Sequence, residues 1–412
     1  MARARALARE KMTVKLPRWT TYPALAVLIG MAILAVPKPR RAPSHGAAAR
    51  ARAQRLELTD LKADQSQAAG FAILVRDFLP DGHVTDGSVD YRAEVQAVLD
   101  ASSGEVVRLP NFPLRMDSRE GTGFALMLPP GLRLEGSGES ELVSVQPGIQ
   151  LLRAEGVDGM LLENFILRGV DQEGRNMSHG LVQITGGTDL VMRGLRVVGA
   201  DADGITVTHV SAVSVENCVV KGVSGAGIHL NDCAGGVVHN NRVSDFGGHE
   251  WGGQIVGAGI QLSSCRNIIC SDNEISRGTG AGILCDTTSV GQAPELNVLR
   301  GNTIEFVNNP GNPAHSGGIR CINDTDRQGT GTRITGNRVR DCGQHGLYIE
   351  GHGGSMVRGN TFLRSARSAL YVGRIDGLEL IGNEIDGQQG SGGRWSSVEL
   401  SSAATNVIQG PR

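Results

Sequence analysis

AGIHL at 226–230, AGIQL at 258–262, AGILC at 281–285 and GGIRC at 317–321 are one phrase written four times. DGITV (203–207), HGLYI (345–349) and SALYV (368–372) continue it, and LVQIT (181–185) is a degenerate first copy. After each of these, except LVQIT, a second apolar run reaches an Asn: ENCVV (216–220), HNNRV (239–243), SDNEI (271–275), RGNTI (300–304), TGNRV (335–339), RGNTF (358–362) and IGNEI (381–385). The phrase starts at Leu181, Gly204, Gly227, Gly259, Gly282, Gly318, Gly346 and Ala369, in steps of 23, 23, 32, 23, 36, 28 and 23 residues. A unit of 23 with occasional additions is an internal repeat, which decides the fold before any other signal is weighed.

Within each unit the apolar period is two. Ile228 and Leu230 share one side and His229 takes the other. Runs of four or five residues punctuated by Gly, Asn, Asp and Ser exclude helix-pair repeats and favour short strands between tight turns. Such a unit fits one coil of a parallel β-helix, each coil lying about 4.8 Å from the next. One coil cannot bury its apolar side alone, so Ile228, Ile260, Ile283 and Ile319 are expected to form one internal column. Asn241, Asn273, Asn360 and Asn383 fall 14 residues into their units, Asn217 at 13, and Asn302 and Asn337 at 20 and 19, with Asn164 in an earlier coil. The expected role is a sharp turn in the left-handed conformation, with the amide bonded to the coils above and below.

The GI-x-L then N-x-I pattern resembles the right-handed parallel β-helix proteins of the pectate lyase superfamily. The likeness covers roughly residues 70 to 410. It implies an all-β, single-stranded right-handed solenoid, with an active site on the outward side of the GI-x-L strand column. Residues 75–110 (VRDFLPDGHVTDGSVDYRAEVQAVLDASSGEVVRLP) look like the entry segment of such proteins. There Asp90 is expected to cap a helix burying Val95, Val98 and Leu99, which covers the open end of the first coil. LPPGLRLEGSG (128–138) resembles the first full coil. The Asp doublet of polygalacturonases and the D-P-H-D motif of mannuronan epimerases are not in the sequence.

The 58 Gly and 4% aromatic content of the 412 residues suit a narrow, turn-rich solenoid, and a net charge of −2 invites no nucleic-acid partner. Residues 1–19 are basic, and 20–37 form an uncharged signal-anchor or signal-peptide segment. Residues 38–69 read as a disordered tether, and 70–412 as the β-helix domain. The expected location is therefore exported: membrane-anchored, extracellular or periplasmic. Of the seven Cys, Cys285 and Cys321 share one repeat position, and Cys233 and Cys265 another. They are expected to stack as small apolar filling, with disulfides as the alternative.

The additions to the unit fall at 245–257 and 307–317, just before the GI-x-L strand, and at 286–296 and 323–332, just after it. Long loops flanking one strand column over neighbouring coils make a groove suited to an extended polymer. The outward residues there include Gln183, Thr206, His229, Gln261, Leu284, Arg320, Tyr348 and Tyr371, with Asn231, Ser263, Asp286 and Glu350 two further on. The loops add His249, Glu250, Trp251, His315, Asp324, Asp326 and Arg327.

Eliminative cleavage of a uronic-acid polymer needs the carboxylate neutralised, the C-5 proton removed and the leaving oxygen protonated. Arg320 suits the first task, or acts as base as an Arg does in the pectate lyases this chain resembles. His229, His315 and Tyr348 suit proton transfer, and Asp286, Asp324 and Glu350 suit a Ca2+ ion. Asp286 and Glu350, two coils and so roughly 9.6 Å apart along the axis, are marginal for the wider spacing of an inverting glycosidase pair. Gln261, Trp251, Tyr371, Arg327, Glu250 and His249 would bind substrate, the aromatic ones by stacking on sugar rings. The expected function is a polysaccharide lyase. The alternatives are a non-catalytic surface protein binding glycans or proteins, and a glycoside hydrolase or epimerase on the same scaffold.

Overall fold

The computed structural model describes residues 72–102, 104–118, 122–170, 180–251, 254–287, 293–308, 317–323, 329–386 and 398–410, of which 249–251 and 254–256 are described as backbone alone. The segments 1–19, 20–37 and 38–69 lie outside the described residues, as do His315, Asp324, Asp326 and Arg327. Among the described residues no helix is long and apolar enough to cross a membrane.

Most coils lay down three short parallel strands, while Gly180–Arg193 and Asp203–Glu216 each run through the first two positions as one strand. In one coil the three are Ala258–Ser263, Arg266–Ser271 and Glu274–Thr279, after which Ala281–Asp286 opens the next coil. Strands of equal rank pair with their counterparts in the coils on either side, so three columns build up. The third column, from Pro113–Arg115 to Glu384–Asp386, is a sheet of eleven strands.

The GI-x-L phrase forms the first column. Ile205, Ile228, Ile260, Ile283, Ile319, Leu347 and Leu370 are successive register partners. All seven are buried, so the internal column expected from the repeat exists. The glycine of the phrase answers to a close approach. A Cβ on Gly282 would lie 2.4 Å from Ile304 Cγ2 and 2.6 Å from the Gly318 carbonyl oxygen, and Gly204, Gly227, Gly259 and Gly318 are crowded in the same way. Here the third column packs against the first, and only a residue without a side chain lets the coils close. Gly282→Ala is therefore expected to destabilise the fold by about 1–3 kcal/mol through overpacking. A chemical-denaturation midpoint equal to that of the parent chain would contradict this.

The Asn residues do more specific work than a turn. Asn241, Asn273, Asn302, Asn337, Asn360 and Asn383 form a ladder. The backbone N–H and side-chain amide of each donate to Oδ1 of the next at 2.9–3.0 Å. The remaining amide hydrogen goes to a backbone carbonyl of the neighbouring coil, as from Asn302 Nδ2 to the Cys270 oxygen at 3.0 Å. These Asn are not left-handed, which corrects the expectation. The left-handed position is the one before, held by Asn240, Asp272, Gly301, Gly336, Gly359 and Gly382. Asn217 and Asn164, with positive φ of 54° and 58°, belong to that preceding position. That is why Asn217 falls one residue short in the count, and its coil presents Cys218 to the ladder instead, donating its N–H to Asn241 Oδ1.

Helix α1 (Arg92–Ala101) buries Val95, Val98 and Leu99 as expected, but its N-cap is Tyr91 rather than Asp90. Asp90 still serves the helix start, accepting the Arg92 N–H at 3.1 Å, and also accepts the Asp117 N–H at 3.0 Å. The Gln96 side chain mimics a strand neighbour. Its amide donates to the Met127 oxygen and accepts the Met127 N–H, both at 2.8 Å. Met127 lies in Phe124–Leu128, the first strand of its column, so the helix satisfies an edge that would otherwise recruit another chain. The first coil with all three strands is Phe124–Leu128, Arg133–Glu135 and Glu141–Val143, which contains the stretch that resembles it.

All seven cysteines are buried free thiols. Cys285 and Cys321 are register partners in the first column, as their shared repeat position implied. Burial pushes Cys218, Cys270 and Cys342 up to about 12, so they pack as small apolar groups.

Candidate functional site

The outward side of the first column carries, in register, Gln183, Thr206, His229, Gln261, Leu284, Arg320, Tyr348, Tyr371 and Glu399. Every sequence-predicted member of this row is where strand parity put it. Leu284, the one apolar member between Gln261 and Arg320, divides the polar residues into two groups.

The first group is a chain of hydrogen bonds across four coils. Asp203 Oδ2 contacts His229 Nδ1 at 3.0 Å and accepts the Thr206 hydroxyl at 3.0 Å, while its Oδ1 accepts the Ala226 N–H at 2.7 Å. His229 Nε2 lies 3.2 Å from Ser263 Oγ. Ser263 donates to Asp286 Oδ1 at 2.6 Å. Gln261 Nε2 donates to Ser263 Oγ at 3.0 Å and to Asp286 Oδ2 at 3.3 Å. The His229 and Asp203 side chains keep 21% and 15% of their surface exposed, so the chain lies at the surface layer rather than in the core. Burial works against charge on His229, but Asp203 and Asp286 outweigh it and the imidazole holds its proton above the usual histidine range. Burial raises Asp286 above the usual carboxylate range, against the opposing pull of Ser263, His229 and Gln261.

The second group is aromatic and cationic. The Arg320 guanidinium sits 5.0 Å over the Tyr348 ring, and Tyr348 stacks on Tyr371 at 4.7 Å and 13°. His345 packs against both rings, at 5.8 and 5.1 Å. Burial, with Arg367 and Arg320 adding to it, lowers His345 to about 4, so this ring is neutral. The Tyr348 hydroxyl donates to Glu350 Oε2 at 2.5 Å, and burial together with that bond pushes the phenol well up. Arg320 is only 7% exposed, a cation held in place rather than free in solvent.

Asp286 and Glu350 are two coils apart, with Ile322 between them, as the sequence implied. Their oxygens are engaged by Ser263 and Gln261 in one case and by Tyr348 in the other. Asp324, the third expected calcium ligand, lies outside the described residues, and among these no group of three or more His, Cys, Asp or Glu stands ready to hold a metal ion. Asp286 and Glu350 alone do not make a calcium cage. His249–Trp251 and Gln254–Val256 pair as an antiparallel hairpin immediately before Ala258–Ser263 in the chain. Nothing is described of the His249, Glu250 and Trp251 side chains.

Asp203 and Ser263 were not singled out as site residues from sequence. Asp203 precedes its Gly, where other coils place Ala226, Ala258 and Ala281, so a carboxylate there was the available signal.

Residues 170–327 match the family model described as a right handed beta helix region. The chain folds as a right-handed parallel β-helix. Among solved structures it is similar to the A-module of the mannuronan C-5 epimerase AlgE6 of Azotobacter vinelandii, at 17% identity over 82% of this chain and 100% of that one, with a TM-score of 0.56. It is similar to the Dettilon tailspike protein at 16% identity, covering 80% of this chain and 68% of that one, TM-score 0.55. It is also similar to the catalytic unit of a GH87 α-1,3-glucanase of Streptomyces thermodiastaticus at 15% identity, covering 83% and 69%, TM-score 0.52. Two of these three act on polysaccharides by name. Comparison with curated proteins finds no match. At such identities the likeness is one of fold, and function has to be argued from the site.

Proposed function

We propose that the chain is an exported or membrane-tethered enzyme that cleaves an acidic, uronic-acid-containing polysaccharide by elimination. The observation that carries this is the placement of Arg320, on the ring of Tyr348, in the same outward row as the hydrogen-bonded chain ending at Asp286. Arg320 opposes the charge of the uronate carboxylate, which makes the adjacent C-5 proton removable. That proton goes to the Tyr348 oxygen while the Tyr348 hydroxyl proton passes to Glu350 Oε2. The C-5 electron pair forms the C-4–C-5 double bond as the bond from C-4 to the leaving oxygen breaks. Asp286, whose burial favours the protonated carboxyl, supplies the proton to that oxygen. Tyr371 extends the aromatic platform on which a neighbouring sugar would lie. Any calcium requirement would rest on Asp324 and not on Asp286 or Glu350, which are committed to proton transfer here, and no step is routed through an ion.

The test is incubation of the full chain with a panel of uronic-acid polymers, with and without a chelator, read by ultraviolet absorbance of unsaturated product. Unsaturated product from at least one polymer is expected. Solvent deuterium appearing at C-5 without unsaturation would mark an epimerase. Binding without any product would favour a non-catalytic glycan-binding protein. Tyr348→Phe keeps the stack and removes the hydroxyl. It is expected to lower kcat by roughly 100-fold or more with little change in KM, the usual scale for loss of a proton-transfer group.

A further inference from the structure

Asp203, His229 and Ser263 have the outline of a nucleophilic serine triad, with carboxylate, imidazole and hydroxyl in line at 3.0 and 3.2 Å. Two observations exclude that role. Ser263 is 1% exposed, so an acyl group has no approach to it, and its hydroxyl hydrogen points at Asp286 rather than at His229. We propose instead that His229, Ser263 and Asp286 are a proton relay holding one shared proton, with Asp203 fixing the imidazole, and that the relay reloads Asp286 during turnover. This deepens the proposed lyase reading and rests on it for its role in turnover, though not for its chemistry.

Two arrangements of the same atoms satisfy the geometry. In one, His229 is an imidazolium, donating from Nδ1 to Asp203 and from Nε2 to Ser263, while the Ser263 hydroxyl donates to an ionised Asp286. In the other, the Ser263 proton has moved to Asp286 Oδ1 and the His229 Nε2 proton has moved to Ser263 Oγ. That leaves neutral imidazole and carboxylic acid. No proton is gained or lost between them, and Ser263 ends as it began. The Gln261 amide donates to both Ser263 Oγ and Asp286 Oδ2, which holds the pair together in either state. Asp203 stays an acceptor throughout, fed by His229, the Thr206 hydroxyl and the Ala226 N–H. Ser263 and Asp203 are thus positioning residues, and Asp286 is the end of the relay assigned to substrate.

The charged or titratable groups facing His229 are Asp203 from the preceding coil, Asp286 from beyond Ser263, and Cys233 on its own coil. Either relay end binds the shared proton more tightly than the same group would in an unfolded chain. Their contribution to stability is therefore complete in acid and lapses as pH rises through each raised midpoint.

The experiment is a pH titration of the full chain carrying 15N-labelled histidine and 13C-carboxyl-labelled aspartate. The His229 and Asp286 signals are assigned by their loss in His229→Gln and Asp286→Asn. In the parent chain the two signals are expected to move together, with shared midpoints. Ser263→Ala should uncouple them and shift the His229 midpoint by at least half a pH unit, and Ser263→Thr, which keeps a hydroxyl, should restore the coupling. Independent titration in the parent chain, or a His229 profile indifferent to both Ser263→Ala and Asp286→Asn, overturns the relay. If Ser263→Ala does not fold, Asp286→Asn alone decides by the same criterion. Coupled signals in a chain that cleaves no polymer would leave the relay standing and remove the lyase. Cleavage by Ser263→Ala with an unchanged pH profile would do the reverse.

Discussion

Arg320→Ala is expected to abolish polymer cleavage, lowering kcat/KM by at least about 100-fold, while the coils stay folded. The guanidinium is pinned on the Tyr348 ring and only 7% exposed, so it meets an incoming carboxylate without having to be ordered first. Its neighbour toward the relay is Leu284, which carries no charge to replace it. The strand around it is held by register pairing of Ile319 and Cys321 on both sides, and those contacts do not involve the side chain. Truncation also strips a cation from an aromatic face, a loss of about 0.5–2 kcal/mol that leaves the fold standing. Arg320→Lys should recover only part of the rate, because an ammonium lacks the planar fork that pairs with a carboxylate. Circular dichroism melts alongside rate measurements check both halves. A fully active Arg320→Ala enzyme would take this residue out of the site.

The largest effect on stability is expected at Asn302→Ala, about 3–5 kcal/mol. Asn302 is fully buried in the middle of the ladder. Its Oδ1 accepts both the backbone and side-chain N–H of Asn273, and its amide donates to the Cys270 oxygen. Alanine leaves these groups in a dry core without partners, each costing about 1–3 kcal/mol. The contrasting variant is Asn217→Gly, at the left-handed position just before the ladder. Glycine adopts that conformation freely, so a change within about 0.5 kcal/mol is expected. Urea unfolding of the two variants separates a ladder from a generic row of turn residues. Equal losses would mean the ladder bonds are not what stabilises these turns.

The coil architecture was legible because each element of the phrase has a geometric counterpart. Alternation gave the inward Ile column and the outward row, and the recurring Gly marks the place where two columns touch. The Asn ladder was visible as spacing, but its chemistry was not. Sequence places Asn217 and Asn241 in one class, and only the backbone separates a left-handed turn residue from a ladder member one position on. Among the candidate catalytic residues, parity put His229, Arg320, Tyr348, Asp286 and Glu350 on the outward side. What it withheld was partnership. Asp203 bonds to a histidine 26 residues away and Ser263 to one 34 away, and those separations differ because one interval carries a loop and the other does not. A small polar residue such as Ser263 also gives no signal of its own until its neighbours are known.

Ile283 and Ile319 are register partners across an interval of 36 residues, just as Ile205 and Ile228 are across 23. Closing the longer interval costs only about 0.4 kcal/mol more in chain entropy. Lengthening or replacing the segments beside Arg320 and Asp286 is therefore nearly neutral for folding. Ligand choice in this protein can diversify by changes in connecting-segment length and composition, while the winding that presents Arg320, Tyr348 and Asp286 stays constant.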